Sequence, residues 1–273
     1  MIKCGITGAN GLLGKKILKN LPYRFYKFKK DVSKIKEVEK WIKNNDFDIF
    51  IHCAALVPVN QVNKNYKKAY DVNVNGTINL VESLIKKKKP PSWFFFCSTS
   101  HVYKTTSYFK KIKESDKINP QSKYGKTKLI AEKYLLKKMK EVSLKICIGR
   151  IFSFTDKDQK QPYLIPSLYK KISSSKKKVV LTDLNHYRDF LSTKDIVRAI
   201  EVLRKKKAIG TYNIGSGYMI NLKNIAELIA KKFNKLINII DSRKRTYLIA
   251  DNSKILKLNW KPKKKIINLK YFY

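Results

Sequence analysis

The chain has 273 residues, 43% hydrophobic and 30% charged, and 61 basic residues against 20 acidic ones give a formal charge of +41. That much apolar material fills a complete core, and a total of 18 Gly and Pro with 12% aromatic residues excludes a disordered or fibrous chain. A charge of this size normally points to nucleic acid, but the basic set is 54 Lys and only 7 Arg, scattered from Lys3 to Lys270, so a lysine-rich codon bias explains it without a nucleic-acid partner.

In chain order, Ile2 to Thr7 reads as a strand, Gly11 to Leu21 as a helix and Tyr23 to Phe28 as a short strand. Val32 to Lys43 has helical spacing, Asp48 to Cys53 is a buried strand and Tyr70 to Ile85 a long helix. Trp93 to Ser98, Tyr124 to Glu141 and Leu144 to Ile151 continue as strand, helix and strand. Residues 154–185 look loop-like, with a helix near Pro166 to Ile172. Asp195 to Leu203 is helical, Gly210 to Ile214 a returning strand, Asn221 to Phe233 a helix, and the tail from Ile237 is short and mixed. Such alternation predicts an α/β fold, a doubly wound parallel sheet covered on both faces, with ligands at the strand C-termini. No apolar stretch reaches the roughly 18 residues of a membrane span. The first strand starts at once, leaving no room for a signal peptide, so a cytoplasmic protein without a membrane partner is expected.

Cys4, Cys53, Cys97 and Cys147 lie in or beside strand-like runs without a C-x-x-C pair. His52, His101 and His186 form no ligand cluster, so reduced thiols and no metal are expected. The Lys runs at 86–89, 176–178, 205–207 and 263–265 fall at helix ends and turns, where solvated caps suit the helix dipole.

Two constellations carry chemistry. Thr7-Gly-Ala-Asn-Gly-Leu-Leu-Gly14 follows the first strand and opens a helix, so Gly8, Gly11 and Gly14 permit a tight turn and close backbone approach to a pyrophosphate. The free N–H groups of the helix start, around Asn10, Leu12 and Leu13, would face those phosphates. In the second, Tyr124 and Lys128 stand four apart on one helix face, preceded by Ser98-Thr-Ser-His101 at a strand end. A neighbouring ammonium is expected to lower the Tyr124 pKa toward working pH and make it a proton donor or acceptor, with Thr99 bonding the same substrate oxygen.

Taken with IHCAA at 51–55, NVNGTINL at 73–80, NPQSKYGKTKLIAEKYL at 119–135, YRDFLSTKDIVRAI at 187–200 and YNIGSG at 212–217, these residues resemble the extended short-chain dehydrogenase/reductase family, the nucleotide-sugar epimerase, dehydratase and reductase group. The resemblance implies a Rossmann domain over 1–153 and 186–215 and a smaller C-terminal substrate lobe over 154–185 and 216–273. It implies Thr99, Tyr124 and Lys128 as the catalytic triad, Asp31-Val32 flanking the adenine, Cys53, Ala54 and Ala55 running past the dinucleotide, and Asn73 organising the site. Ser100, His101, Ser153 and Tyr163 would line the sugar, with Arg188 gripping the diphosphate and Arg243 or Arg245 a second contact.

Three departures from the family pattern matter. Ser100-His101 replaces the Asp-Glu of the 4,6-dehydratases, and Arg150-Ile-Phe-Ser153 replaces R-x-x-N. Lys27, Lys29 and Lys30 stand where an acidic residue would bind a ribose 2′-hydroxyl, favouring NADP(H) over NAD. Asp31 comes 17 residues after Gly14, a short path shared with rhamnose-pathway reductases. The resemblance therefore implies NADPH-dependent reduction of a 4-keto-6-deoxy sugar nucleotide for surface polysaccharide, with 4-epimerisation, or epimerisation and reduction through His101, as the alternative. Family members commonly pair the helices at 70–85 and 124–141 across a homodimer, and apolar residues beyond one face, including Val74 and Val81, suggest the same here.

Overall fold

The computed structural model describes residues 1–175, 178–242 and 244–263; Arg243 and parts of the lysine runs at 176–178 and 263–265 lie outside them. Six parallel strands form the main sheet: β1 (Lys3–Thr7), β2 (Arg24–Lys27), β3 (Ile49–His52), β4 (Trp93–Thr99), β5 (Lys145–Ile151) and β6 (Gly210–Ile214), in the order β6-β5-β4-β3-β1-β2. Central strands read as unbroken apolar runs because helices cover both faces. Phe50, Phe94, Phe95 and Phe96 are all wholly buried, and Phe50 stacks on Phe94 with ring centres 5.7 Å apart. Each such side chain contributes about 1.5–3 kcal/mol of burial.

The chain reverses direction across the sheet between β1 and β3, which are neighbours although β2 lies between them in sequence. A crevice opens at such a switch point, and the segments leaving β1, β3 and β4 all meet there. Helix Leu12–Asn20 follows β1, and helix Lys123–Glu141 runs beneath β4 and β5. The Ser122 hydroxyl starts the second helix by accepting from Gly125 N at 3.0 Å.

Several expectations give way to longer-range structure. The helix expected from Val32 begins only at Ile35, because the Asp31 carboxylate accepts from Ser33 N and Oγ and closes a turn first. Val32 is buried by that turn, its Cγ2 standing 2.5 Å from where a side chain on Gly76 would begin. The helix expected over 70–85 contains a π turn at Asp71–Asn75 before Gly76–Ile85. Val74 and Val81, read as outward apolar residues, are buried within the monomer at 1% and 0% exposure. Ile78 and Ile130 remain partly exposed.

The segment 154–185 is more than loop. Its helix is Leu164–Ser173, and Lys178–Thr182 pairs in parallel with Leu236–Ile240 from the tail. The tail's second strand, Thr246–Ala250, pairs with both His186–Arg188 and Lys111–Ile112, and Ile220–Asn221 completes this four-stranded sheet on the other side of the crevice. Among the described residues no helix is long and apolar enough to cross a membrane, and no three His, Cys, Asp or Glu side chains gather to hold a metal.

Candidate active site

The phosphate loop is fixed by glycine. Gly8 has φ +71°, and a side chain there would begin 2.5 Å from Ala54 N and 2.6 Å from the Cys53 carbonyl carbon. On Gly14 it would begin 2.2 Å from Gly8 O. The loop therefore packs backbone to backbone against the segment leaving β3, with Gly11 N donating to Gly8 O at 3.0 Å. Gly11 caps the following helix with no side-chain bond, so the N–H groups around Leu12 and Leu13 are not claimed by a cap. An open helix start beside a cradle that any Cβ would fill suits a dinucleotide pyrophosphate, held by Gly8, Asn10, Gly11, Leu12, Leu13 and Gly14.

Beside this loop a buried polar chain ties the elements together. Ala54 N donates to Thr7 Oγ1 at 3.2 Å, and that oxygen lies 2.6 Å from His52 Nδ1. His52 Nε2 is 3.0 Å from Thr77 Oγ1, whose hydroxyl donates to Asn73 O at 2.8 Å. The directions are consistent only with the proton on Nε2, with Thr7 donating to Nδ1. Burial, and then the Lys128 charge, hold the His52 pKa far below its ordinary value, so the ring is a neutral structural link. The Asn73 side chain accepts from Leu56 N at 2.7 Å and donates to Leu56 O and Thr127 Oγ1, both at 3.0 Å. Thr127 Oγ1 in turn donates to Tyr124 O. Asn73 thus joins the segment after β3 to the Tyr124 helix, and the π turn carrying it is a usual device at functional sites. Sequence reasoning found Asn73 but missed Thr7, His52, Thr77 and Thr127, whose only signal was polarity inside apolar runs.

Tyr124, Thr99 and His101 come together at the end of β4. A side chain on Gly125 would begin 2.2 Å from His101 O, so the helix start abuts the turn Ser100–Val102. The Tyr124 and His101 rings stand 5.9 Å apart, edge to face, and Thr99 shares a hydrogen bond with the phenol. Ser100 is buried at 2% beneath them. Contrary to expectation, the Tyr124 pKa is raised: burial dominates, the neighbouring Tyr163 adds to it, and only the Thr99 bond opposes. Lys128 does not offset this. Its ammonium lies 3.9 Å from the centre of the Phe96 ring, and its charge falls on His52 and Cys53. Burial also lowers the Lys128 pKa to about 8. A protonated phenol is accordingly the form present at neutral pH, which is what a proton donor needs.

Across the crevice, Arg188 enters from the four-stranded sheet. Its Nη1 donates to Tyr187 O at 2.8 Å and Thr246 O at 3.2 Å, and its Nη2 donates to Thr246 Oγ1 at 3.1 Å. No carboxylate pairs with it among the described residues, and burial lowers its pKa to about 10. A partly desolvated guanidinium held by neutral acceptors has the chemistry that suits an anion. Desolvation by the cleft walls and then the Arg188 charge lower the His101 pKa, although that side chain still reaches solvent at the mouth. Nearby, Tyr187 stacks on Tyr247 with centres 4.7 Å apart, and the exposed Arg245 guanidinium lies 5.9 Å over the Tyr187 ring. Tyr163 is 37% exposed at the mouth, and Ser153 is half-buried opposite Phe190.

Arg150, the residue of the altered R-x-x-N motif, points elsewhere. It makes a buried pair with Glu132, Nε and Nη2 donating to the carboxylate at 2.8–3.2 Å, and Nη1 donates to Tyr103 Oη at 2.7 Å. Ser98 Oγ donates to the same carboxylate. The pair anchors the Tyr124 helix to β5. Where β2 ends, Lys27 is exposed as its last residue, Lys30 pairs with Glu37 at 2.7 Å, and Asp31 is occupied in its turn.

Comparisons with known proteins bear on the family and the fold. The model of the NAD dependent epimerase/dehydratase family matches residues 4–215. Over 236 residues the chain is 28% identical to the dTDP-D-glucose 4,6-dehydratase of Dictyostelium discoideum, covering 82% of this chain and about half (51%) of that protein. It is 25% identical over 256 residues to the dTDP-4-dehydro-6-deoxyglucose reductase of Escherichia coli, covering 88% of this chain and 78% of that one. The structure of RMD from Pseudomonas aeruginosa complexed with NADPH superposes with a TM-score of 0.87 at 21% identity, covering 98% of this chain and 94% of the other. The chain belongs to the NAD dependent epimerase/dehydratase family.

Proposed function

We propose that this protein is an NADPH-dependent reductase of a 4-keto-6-deoxy sugar nucleotide, supplying a precursor of surface polysaccharide in the cytoplasm. The observation that carries the reading is the pairing of a half-buried Arg188, without a carboxylate partner among the described residues, on one wall with the protonated Tyr124 and Thr99 on the other. A diphosphate answers the first and a ketone oxygen the second.

In this reading the dinucleotide lies on 1–153 and 186–215, and the sugar nucleotide leans on 154–185 and 216–273. The nicotinamide, when bound, supplies a hydride to the ketone carbon. Thr99 and Tyr124 hold the ketone oxygen, and Tyr124 delivers the proton that makes it a hydroxyl. Lys128 binds the nicotinamide ribose. Ser100, His101, Ser153 and Tyr163 shape the sugar pocket, while Arg188 and Arg245 take the diphosphate. Val32 flanks the adenine, Cys53, Ala54 and Ala55 pass beneath the dinucleotide, and Asn73 keeps the two walls in register. Ser100-His101 lacks the carboxyl pair that dehydration uses.

NADPH rather than NAD is favoured by the exposed charges of Lys27 and Lys29, which would attract a 2′-phosphate. A homodimer through the 76–85 and 123–141 helices would cover Ile78 and Ile130; light scattering at physiological ionic strength should give twice the chain mass, and a clean monomer would contradict it. The function is tested by incubating protein with a panel of keto-sugar nucleotides and NADPH or NADH. Stoichiometric NADPH consumption with one 4-keto-6-deoxy substrate is expected. Tightly retained dinucleotide, with interconversion of two sugar epimers and no net consumption, would make the protein a 4-epimerase, with His101 the residue placed to serve as a second acid or base.

A further inference from the structure

The thiols at the ends of β3 and β4 take no part in the chemical steps above, although the Cys53 backbone lies along the dinucleotide path. The ladder pairs His52 with Phe96, so Cys53 and Cys97 stand opposite each other at the next position. Both side chains pack against the apolar cluster that contains Ile17 of the phosphate helix, and their sulfurs are 3.1 Å apart. Neighbouring strands hold opposed Cα atoms about 4.8 Å apart, within the roughly 4.4–6.8 Å that a disulfide spans. Both residues are half-buried, on the floor of the crevice, whereas Cys4 and Cys147 are fully enclosed. The pair touches both halves of the site: the Cys53 carbonyl carbon stands against Gly8 of the phosphate loop, and Cys97 lies two residues before Thr99 on β4.

We infer that Cys53 and Cys97 are a modification site, an oxidisable thiol pair that a hydroperoxide converts into a reversible disulfide beneath the dinucleotide. One thiol attacks the peroxide, breaking its O–O bond; the sulfur becomes a sulfenic acid and the peroxide leaves as alcohol or water. The second thiol attacks that sulfur, the S–S bond forms and water is released. Two thiols have then given up two electrons and two protons, all accepted by the peroxide, and a dithiol reductant reverses the change by exchange. Bringing the sulfurs from 3.1 Å to a bonded distance draws them together by about 1 Å. Cys53 moves with its sulfur, and its backbone is already packed against a loop that has no room for a single methyl group at Gly8 or Gly14. Oxidation therefore distorts the groove where the phosphates sit; for the identity of that ligand the inference rests on the function proposed above.

The test exposes the reduced full-length protein to hydrogen peroxide, alkylates it and digests it without reductant. A linked peptide containing Cys53 and Cys97, lighter by about 2 Da than its two reduced parts, is expected in the wild type and not in Cys97→Ser. Linked protein should bind NADPH about tenfold more weakly in a fluorescence titration, and dithiothreitol should restore the affinity. Two freely alkylated thiols, oxygen added to either sulfur without a link, or a link that leaves NADPH affinity unchanged would each overturn the inference. A reduced protein that binds dinucleotide but turns over no keto-sugar nucleotide would sink the proposed substrate alone and leave this result standing.

Discussion

Arg150 and Arg188 are both withdrawn from water, and their surroundings differ in kind. Arg150 stands in the sheet core with its side chain 3% exposed, bonded through two nitrogens to the Glu132 carboxylate, which is 0% exposed, and through a third to Tyr103. Arg188 stands in the crevice, and among the described residues its acceptors are two backbone carbonyls and the Thr246 hydroxyl. The first arrangement is electrically complete and holds a helix in place. The second has no carboxylate partner among the described residues. The difference separates scaffold from candidate site more sharply than burial alone: one arginine is spent on holding a helix, and under the proposed function the other answers a diphosphate.

The largest expected effect comes from breaking the complete pair. Arg150→Met leaves the Glu132 carboxylate buried with Ser98 as its remaining donor, which costs about 3–5 kcal/mol. The melting temperature should fall on the order of 10 °C in calorimetry, and Arg150→Met with Glu132→Leu should recover most of it. An unchanged melting temperature in the single variant would deny the pair its structural role.

Next in size is the reacting group. Tyr124→Phe keeps the ring beside His101 but removes the phenol, and it should lower turnover by about two orders of magnitude while leaving dinucleotide affinity intact. Arg188→Met sharpens the contrast with Arg150. It should raise KM for the sugar nucleotide roughly tenfold to a hundredfold, the loss of charge-assisted bonds to an anion, with little change in melting temperature. A fall in stability comparable to that of Arg150→Met would place Arg188 in the scaffold instead.

The smallest effect is on pH dependence. The folded-state pKa of Lys128 is lowered to about 8, so its charge is lost as pH rises through that value, and kcat/KM should decline above it. Lys128→Arg should remove that alkaline limb. Stability moves the other way. Between about 8 and the ordinary lysine value the unfolded chain binds the proton and the folded chain does not, so this group's unfavourable contribution shrinks as pH rises through that window. Parallel measurements of kcat/KM and melting temperature against pH check both signs.

Much of the dinucleotide half was legible because its signals are local. A glycine loop between a strand and a helix, short apolar runs for both-face-buried strands, and a Tyr–Lys pair at i,i+4 all lie within a few residues of each other. What sequence could not show depends on contacts between distant segments. Glu132 reads as one more charge on a lysine-rich helix until β5 brings Arg150 beneath it. His52 reads as the polar end of an apolar run until Thr7 and Thr77 close around it. The Lys178–Thr182 strand has a partner more than 50 residues away, with no hairpin turn to announce it. The Tyr124 pKa was misread for a related reason: i,i+4 spacing places Lys128 on the same helix face, but its ammonium lies over the Phe96 ring of the neighbouring strand.

The central claim, that the crevice brings a hydride from a dissociable nicotinamide and a proton from Tyr124 to one ketone of a nucleotide-linked sugar, is tested most directly by isotope transfer. Protein is mixed with NADPH carrying deuterium at the transferable position and a 4-keto-6-deoxy sugar nucleotide, and the product is read by mass spectrometry and NMR. The account predicts one deuterium at C4 of every product molecule, one oxidised dinucleotide released for each, and no product from Tyr124→Phe beyond about one hundredth of the wild-type rate. Unlabelled product, or an equilibrating pair of sugar epimers with the dinucleotide retained on the protein, would contradict it.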